Sequence, residues 1–229
     1  MHSKSLLQSA ICELAVDAVN RFVKDSQCIG LGSGSTMAVL IKEISKSVNM
    51  ETLKFTATSL QIKIEAEKYG LDVVDENSVR QIDLVFDGAD QIDSDFNMIK
   101  GGGGALSKEK ILIYAAKKVI IIADSSKFVD AFNRTIPIEV HQFARSFVER
   151  KLYEIGTAPT LRTLEKGYPY ITESGNIIFD TQFGSFKDPQ RREIEVKSIP
   201  GVLEVGLFTR RADVYYKAKF DGSFETLLF

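Results

Sequence analysis

The stretch Cys28-Ile29-Gly30-Leu31-Gly32-Ser33-Gly34-Ser35-Thr36 decides the fold. Its first four residues form a short buried run of strand type, and glycines and hydroxyl residues follow. A helical pattern then runs from residue 37 to about residue 48. A strand that ends in a glycine turn and opens a helix is the first half of a βαβ unit. Upstream, Leu6, Leu7, Ala10, Ile11, Leu14, Ala15, Ala18, Val19 and Phe22 recur at the helical period. Downstream the alternation continues, with a strand over 53–57, a helix ending at Gly70, and short strands over 71–74 and 82–86. A helix over 106–116 leads to the clearest buried strand, 119–123. This pattern predicts an α/β chain built on a Rossmann-like, mostly parallel sheet with helices on both faces.

The texture changes after residue 135, where Pro137, Pro159 and Pro169 punctuate shorter elements. Residues 143–152 read as a helix, and 168–172 with 177–180 as a hairpin around Ser174-Gly175-Asn176. A helix over 191–199 and a single strand over 202–208 follow. We expect a smaller α+β (ferredoxin-like) insertion over 136–205, with 1–135 and 206–229 forming the Rossmann-like catalytic domain.

Composition narrows the function. The chain has 229 residues, 29 basic against 31 acidic, and only two His and two Cys. Near-neutral charge without a basic block argues against nucleic acid as partner. His2, Cys12, Cys28 and His141 show no paired metal spacing. Cys12 and Cys28 read as reduced core residues, as in a cytosolic protein. The first residues lack a long apolar signal core, and no run is long enough to span a membrane, so a cytoplasmic location is expected. Chemistry here is expected to rest on carboxylates, lysines and backbone amides.

Ligands of open α/β sheets bind beyond the carboxyl ends of the strands. Polar segments stand at those ends. Ser33, Gly34, Ser35 and Thr36 offer amides and hydroxyls at a helix N-terminus, suited to a phosphate group. The third glycine of a dinucleotide fingerprint and the Gly-Lys-Ser/Thr of a nucleotide loop are both missing. Asp87-Gly88-Ala89-Asp90 places two carboxylates around a turn, for sugar hydroxyls or acid–base work; a solvated Asx turn is the plainer reading. Lys100-Gly101-Gly102-Gly103-Gly104 is the most unusual run, because successive glycines are entropically costly and suit a backbone passing close to a ligand. Lys100 supplies a positive charge for a developing oxyanion, and Glu109, early in the next helix, is a candidate carboxylate base over the glycine loop. Lys108 and Lys110 on either side of Glu109 favour a plain surface helix instead. Lys127 ends the segment Asp124-Ser125-Ser126-Lys127 as a phosphate or hydroxyl contact, or as a solvated turn lysine. His141 reads as structural.

Taken in order, these segments resemble the A-type ribose-5-phosphate isomerases. Ile199-Pro200-Gly201-Val202, Val205-Gly206-Leu207-Phe208 and Arg211-Ala212-Asp213 extend the match along nearly the whole chain. The resemblance implies interconversion of D-ribose 5-phosphate and D-ribulose 5-phosphate through an enediolate, in the non-oxidative pentose phosphate pathway, with no metal or organic cofactor. It implies that Glu109 is the base, that Lys100 stabilises the enediolate, and that Asp87 helps ring opening. Asp90 would bind hydroxyls. Ser33, Gly34, Ser35, Thr36, Gly88, Ala89, Gly101, Gly102, Gly103 and Lys127 would complete the sugar-phosphate site. It favours a homodimer, with a tetramer as the alternative. Ser33 and Leu60 depart from the Thr and Phe usual in relatives. The competing readings are an aminosugar-phosphate isomerase/deaminase or coenzyme A transferase of similar architecture, and a non-enzymatic sugar-phosphate sensor.

Overall fold

The structure is a computed structural model that describes residues 2–47, 50–75 and 79–229, with the main chain alone for residues 2 and 3. Val48, the expected end of the second helix, and the His2 side chain lie outside the described residues. The chain divides into two compact units, 1–89 with 111–127 and 212–229, and 90–110 with 128–211. This division differs from the expected boundaries at 135/136 and 205/206, because residues 90–110, 128–135 and 206–211 pack with the second unit.

In the first unit, among the described residues, a six-stranded sheet has the order β13-β12-β6-β3-β1-β2. Its strands are β1 (Cys28–Leu31), β2 (Lys54–Ala57), β3 (Ile82–Asp87), β6 (Ala116–Asp124), β12 (Val214–Ala218) and β13 (Phe224–Leu228). All pair in parallel except β13 against β12. Side chains alternate between the faces of a strand. Ile29, Leu31, Leu84, Phe86, Ile120, Ile122, Val214 and Tyr216 accordingly share one core with Leu14 of α1 (His2–Phe22), Leu40 of α2 (Ser35–Ile44) and Ile62 of α3 (Leu60–Lys68). Gly30 and Val85 face the other way, and a side chain at Gly30 would meet Leu112 of α4 (Leu106–Ala115). Helices therefore cover both faces, as the alternation predicts. The expected strand over 71–74 reduces to one bridge, Phe55 with Val73. Cys12 is exposed and Cys28 half-buried, so only the latter approaches the expected core position; both are free thiols. No helix among the described residues is long and apolar enough to cross a membrane.

The second unit holds the sheet β10-β7-β9-β8, wholly antiparallel, from β7 (Ile136–Val140), β8 (Ala158–Leu161), β9 (Ile177–Gln182) and β10 (Val202–Val205). With α5 (Arg145–Glu154) and α6 (Pro189–Lys197) the chain order is β7-α5-β8-β9-α6-β10, the ferredoxin-like arrangement. The expected hairpin partner of β9, residues 168–172, makes only isolated bridges; β8 takes its place. The expected single strand over 202–208 breaks at Gly206. Its continuation, β11 (Leu207–Phe208), joins β4 (Gln91–Ile92) and β5 (Met98–Ile99) in a separate small sheet. Glycine is required at the break, since a Cβ at Gly206 would stand 2.5 Å from the Lys100 carbonyl.

Candidate active site

In the first unit the polar segments stand at the carboxyl ends of β1, β3 and β6, where parallel strands deliver them side by side. Gly32 follows β1 and donates its amide to the Phe86 carbonyl at 2.8 Å, which pins the loop to β3. Asp87, the last residue of β3, is buried, and its Oδ1 accepts from the Gly88 amide at 2.7 Å and the Ser33 amide at 3.3 Å. Gly32 and Asp87 fit only because position 32 has no side chain: a Cβ there would lie 2.6 Å from the Asp87 Cβ, and nearer still to its carboxyl. Gly34 has φ +100°, a region that disfavours other residues, and caps α2 without a side-chain hydrogen bond. The amide ends of Ser35 and Thr36 open α2, as an anion site requires. Lys127 closes a 3-10 turn, Ser125–Lys127, directly after β6. Ala89, next to Gly88, ends the first segment of this unit.

In the second unit the glycine run is bracketed by charge. Lys100 and Glu109 are both buried, with Nζ 3.4 Å from Oε2. Each charge offsets the burial of the other. The backbone around Lys100 is fixed by its own amide on the Gly206 carbonyl at 2.9 Å. Asp90 accepts from the Gly102 amide at 2.8 Å. Gly101 and Gly104 have φ of +96° and +87°, so both need glycine. Gly102 and Gly103 are exposed.

Several supporting residues escaped the sequence reading. Arg162 and Tyr170 donate to the carbonyls of the glycine run. Glu139, buried, accepts from Ser107 at the start of α4, from Thr172 and from Asn176. Lys110, far from being solvated, is buried among Glu193, Glu204 and the carbonyls of Val205 and Leu207. Its Nζ also lies 4.5 Å from the Phe208 ring centre, while Lys100 lies 5.8 Å from it. Glu204 is held below the usual carboxylate range: burial opposes this, and the Lys110 ammonium, the Val205 amide and the Lys197 ammonium together outweigh it. None of these partners is local in sequence, so no short motif announces them. His141 caps a 3-10 turn through Nδ1, in keeping with its structural reading. Among the described residues no group of three or more His, Cys, Asp or Glu is disposed to hold a metal ion.

Residues 54–222 match the family model described as ribose 5-phosphate isomerase A (phosphoriboisomerase A). The chain belongs to this family. It is 41% identical over 214 residues to ribose-5-phosphate isomerase A 2 of Yersinia pseudotuberculosis, covering 90% of this chain and 91% of that protein. It is 38% identical over 208 residues to ribose-5-phosphate isomerase A of Methanosarcina acetivorans, covering 90% and 88%. Among solved structures, a D-ribose-5-phosphate isomerase in complex with phospho-erythronic acid superposes with a TM-score of 0.89 at 33% identity, covering 96% and 98% of the two chains. The ribose 5-phosphate isomerase A of Neisseria gonorrhoeae gives 0.88 at 34% identity, covering 100% and 97%. Family membership sets aside the deaminase, transferase and sensor readings.

Proposed function

We propose that this chain interconverts D-ribose 5-phosphate and D-ribulose 5-phosphate as an aldose–ketose isomerase of the pentose phosphate pathway. The observation that carries the reading is the buried Lys100–Glu109 pair, 3.4 Å apart, at the two ends of the glycine run. Glu109 takes the proton from C2 of the open-chain aldose, and the released electron pair forms the C1–C2 double bond of the enediolate. The same carboxyl returns the proton to C1, while the hydroxyl proton on O2 moves to O1 and C2 becomes the carbonyl. Lys100 stabilises the charge that develops on oxygen between these steps. Asp87 assists ring opening, and Asp90 binds hydroxyls beside Gly101, Gly102 and Gly103. Ser33, Gly34, Ser35 and Thr36 receive the phosphate, with Gly88, Ala89 and Lys127 as further contacts. The phospho-erythronic acid bound by a relative supports this, since it joins a phosphate to an anionic carboxylate. A homodimer, with a tetramer as the alternative, and a cytoplasmic location belong to the same reading, on family resemblance.

The test is direct. Purified protein with ribose 5-phosphate and a chelator is expected to release ribulose 5-phosphate, and no ketose product refutes the reading. Glu109→Gln is expected to lower turnover by about 100-fold or more; near-normal turnover removes Glu109 from the base role.

A further inference from the structure

The second unit contains a device that the reaction as described does not use. Arg162 follows β8, and its main chain is tied on both sides, its amide to the Ile178 carbonyl at 2.8 Å and its carbonyl to the Tyr170 amide at 2.9 Å. From this fixed base the guanidinium forks onto Asp180, with Nε at 2.8 Å from Oδ2 and Nη2 at 2.5 Å from Oδ1. Such a bidentate pair fixes the plane of the group. The remaining nitrogen, Nη1, donates to the carbonyls of Gly101 at 3.0 Å and Gly102 at 3.1 Å. Tyr170, its ring centre 5.8 Å from the guanidinium carbon, donates its hydroxyl to the Gly103 carbonyl at 3.1 Å. Three successive glycine carbonyls thus accept from one hairpin.

A trans peptide is planar, so its N–H points away from its carbonyl. No peptide bond here is cis. Holding the Gly102 carbonyl on Arg162 turns the amide of the same peptide, that of Gly103, away from the guanidinium. The Gly102 amide meets Asp90 at 2.8 Å, and the Gly104 amide bends back to the Gly101 carbonyl at 3.0 Å. The Gly103 amide takes neither acceptor and lies in an exposed stretch of the loop.

We infer that Arg162, locked by Asp180, is a positioning residue that aims the Gly103 amide at the substrate oxygen gaining charge in the enediolate. It acts through the glycine loop and does not touch the substrate. The inference rests on the isomerase reading above. Removing a whole oxyanion donor costs about 100–1000-fold in kcat; loosening its aim is expected to cost about 10–100-fold. The experiment measures kcat and KM for ribose 5-phosphate, with thermal unfolding alongside, for wild type, Arg162→Ala, Arg162→Lys and Asp180→Asn. Arg162→Ala is expected to lose about 10–100-fold in kcat with KM changed less than about 3-fold, because the amide matters most when charge is on oxygen. Lysine keeps the charge but not the fork, so Arg162→Lys is expected to recover only part of the loss. If the alanine variant does not fold, Arg162→Lys and Asp180→Asn carry the test, each expected to lose kcat with KM retained. Unchanged kcat in the folded variants, or a loss confined to KM, overturns the inference while wild-type activity stands. A wild type that makes no ketose removes the isomerase reading and this inference with it.

Discussion

Gly32→Ala tests the packing of the candidate site at its tightest point. The added methyl would lie 2.6 Å from the Asp87 Cβ, against an optimal carbon–carbon separation of about 3.5–4.0 Å. Something must move by about 1 Å. The loop cannot retreat without giving up the 2.8 Å bond from the Gly32 amide to Phe86. Asp87 is buried and cannot retreat without stretching its bonds from Ser33 and Gly88. Overpacking costs about 1–3 kcal/mol. One lost hydrogen bond to a charged group adds about 1.5–3 kcal/mol. The sum is about 2.5–6 kcal/mol, or about 5–24 °C in Tm at about 2–4 °C per kcal/mol for a chain of this size. Displacing Asp87 by about 1 Å is also expected to lower kcat by about 100-fold. Gly34→Ala is the control, because nothing lies within 4 Å of its added methyl and only the backbone at φ +100° is strained. That strain costs about 1–3 kcal/mol. Thermal and urea unfolding of both variants, with turnover of ribose 5-phosphate, decide the matter. A Gly32→Ala variant no less stable than Gly34→Ala, with turnover within about 3-fold of wild type, rules out this tight packing of position 32 on Asp87.

Two further outcomes follow from buried and half-buried charge. Lys110→Met keeps the length of the side chain but removes the cation paired with Glu193 and leaves Glu204 with Lys197 alone; urea unfolding at pH 7 is expected to show a loss of about 3–5 kcal/mol, and a loss under about 1 kcal/mol contradicts the account. Asp83 is held below its usual pKa of 3.8, first by the Lys117 ammonium and then by the Cys28 amide. A lowered carboxylate pKa adds stability that is complete above 3.8 and is lost as pH falls through the lowered value. Because the pair is solvent-exposed, the stability gap between wild type and Asp83→Asn is expected to be at most about 1 kcal/mol at pH 7 and to shrink toward pH 3. A gap that stays constant or widens on acidification argues against that role.

Much of the first unit was legible because its signals are short-range. The run from Cys28 to Thr36 carries its strand, its glycine turn and its helix start within nine residues. The continuous apolar runs along β3 and β6 mark strands buried on both faces without any knowledge of partners. The candidate site was legible where it coincides with unusual local chemistry, as in the glycine run after Lys100. Elements whose existence depends on a partner were not. Pro159 made β8 look like a break, yet β8 pairs with β9 along four residues, Ala158 to Leu161. The two-residue strands β4 and β5 are too short to show a period, and β13, read only as part of a returning segment, is an edge strand defined by β12.

Lys110 draws the line most clearly. In the sequence it is one of two lysines flanking Glu109, and that neighbourhood favours a solvated helix surface. In the fold it is buried, and its acceptors lie 83 to 97 residues further along the chain. The alternating architecture and the two unusual segments, the Gly32–Thr36 turn and the glycine run after Lys100, were readable in the sequence because each is encoded in residues close along the chain. Only the tertiary structure decided that Glu109 and Lys100 are buried together, and that Arg162, Tyr170 and Glu139 support the segments bearing them. Burial and hydrogen-bond partnership arise when distant segments pack, and no local pattern specifies which distant carboxylate or carbonyl a side chain will meet.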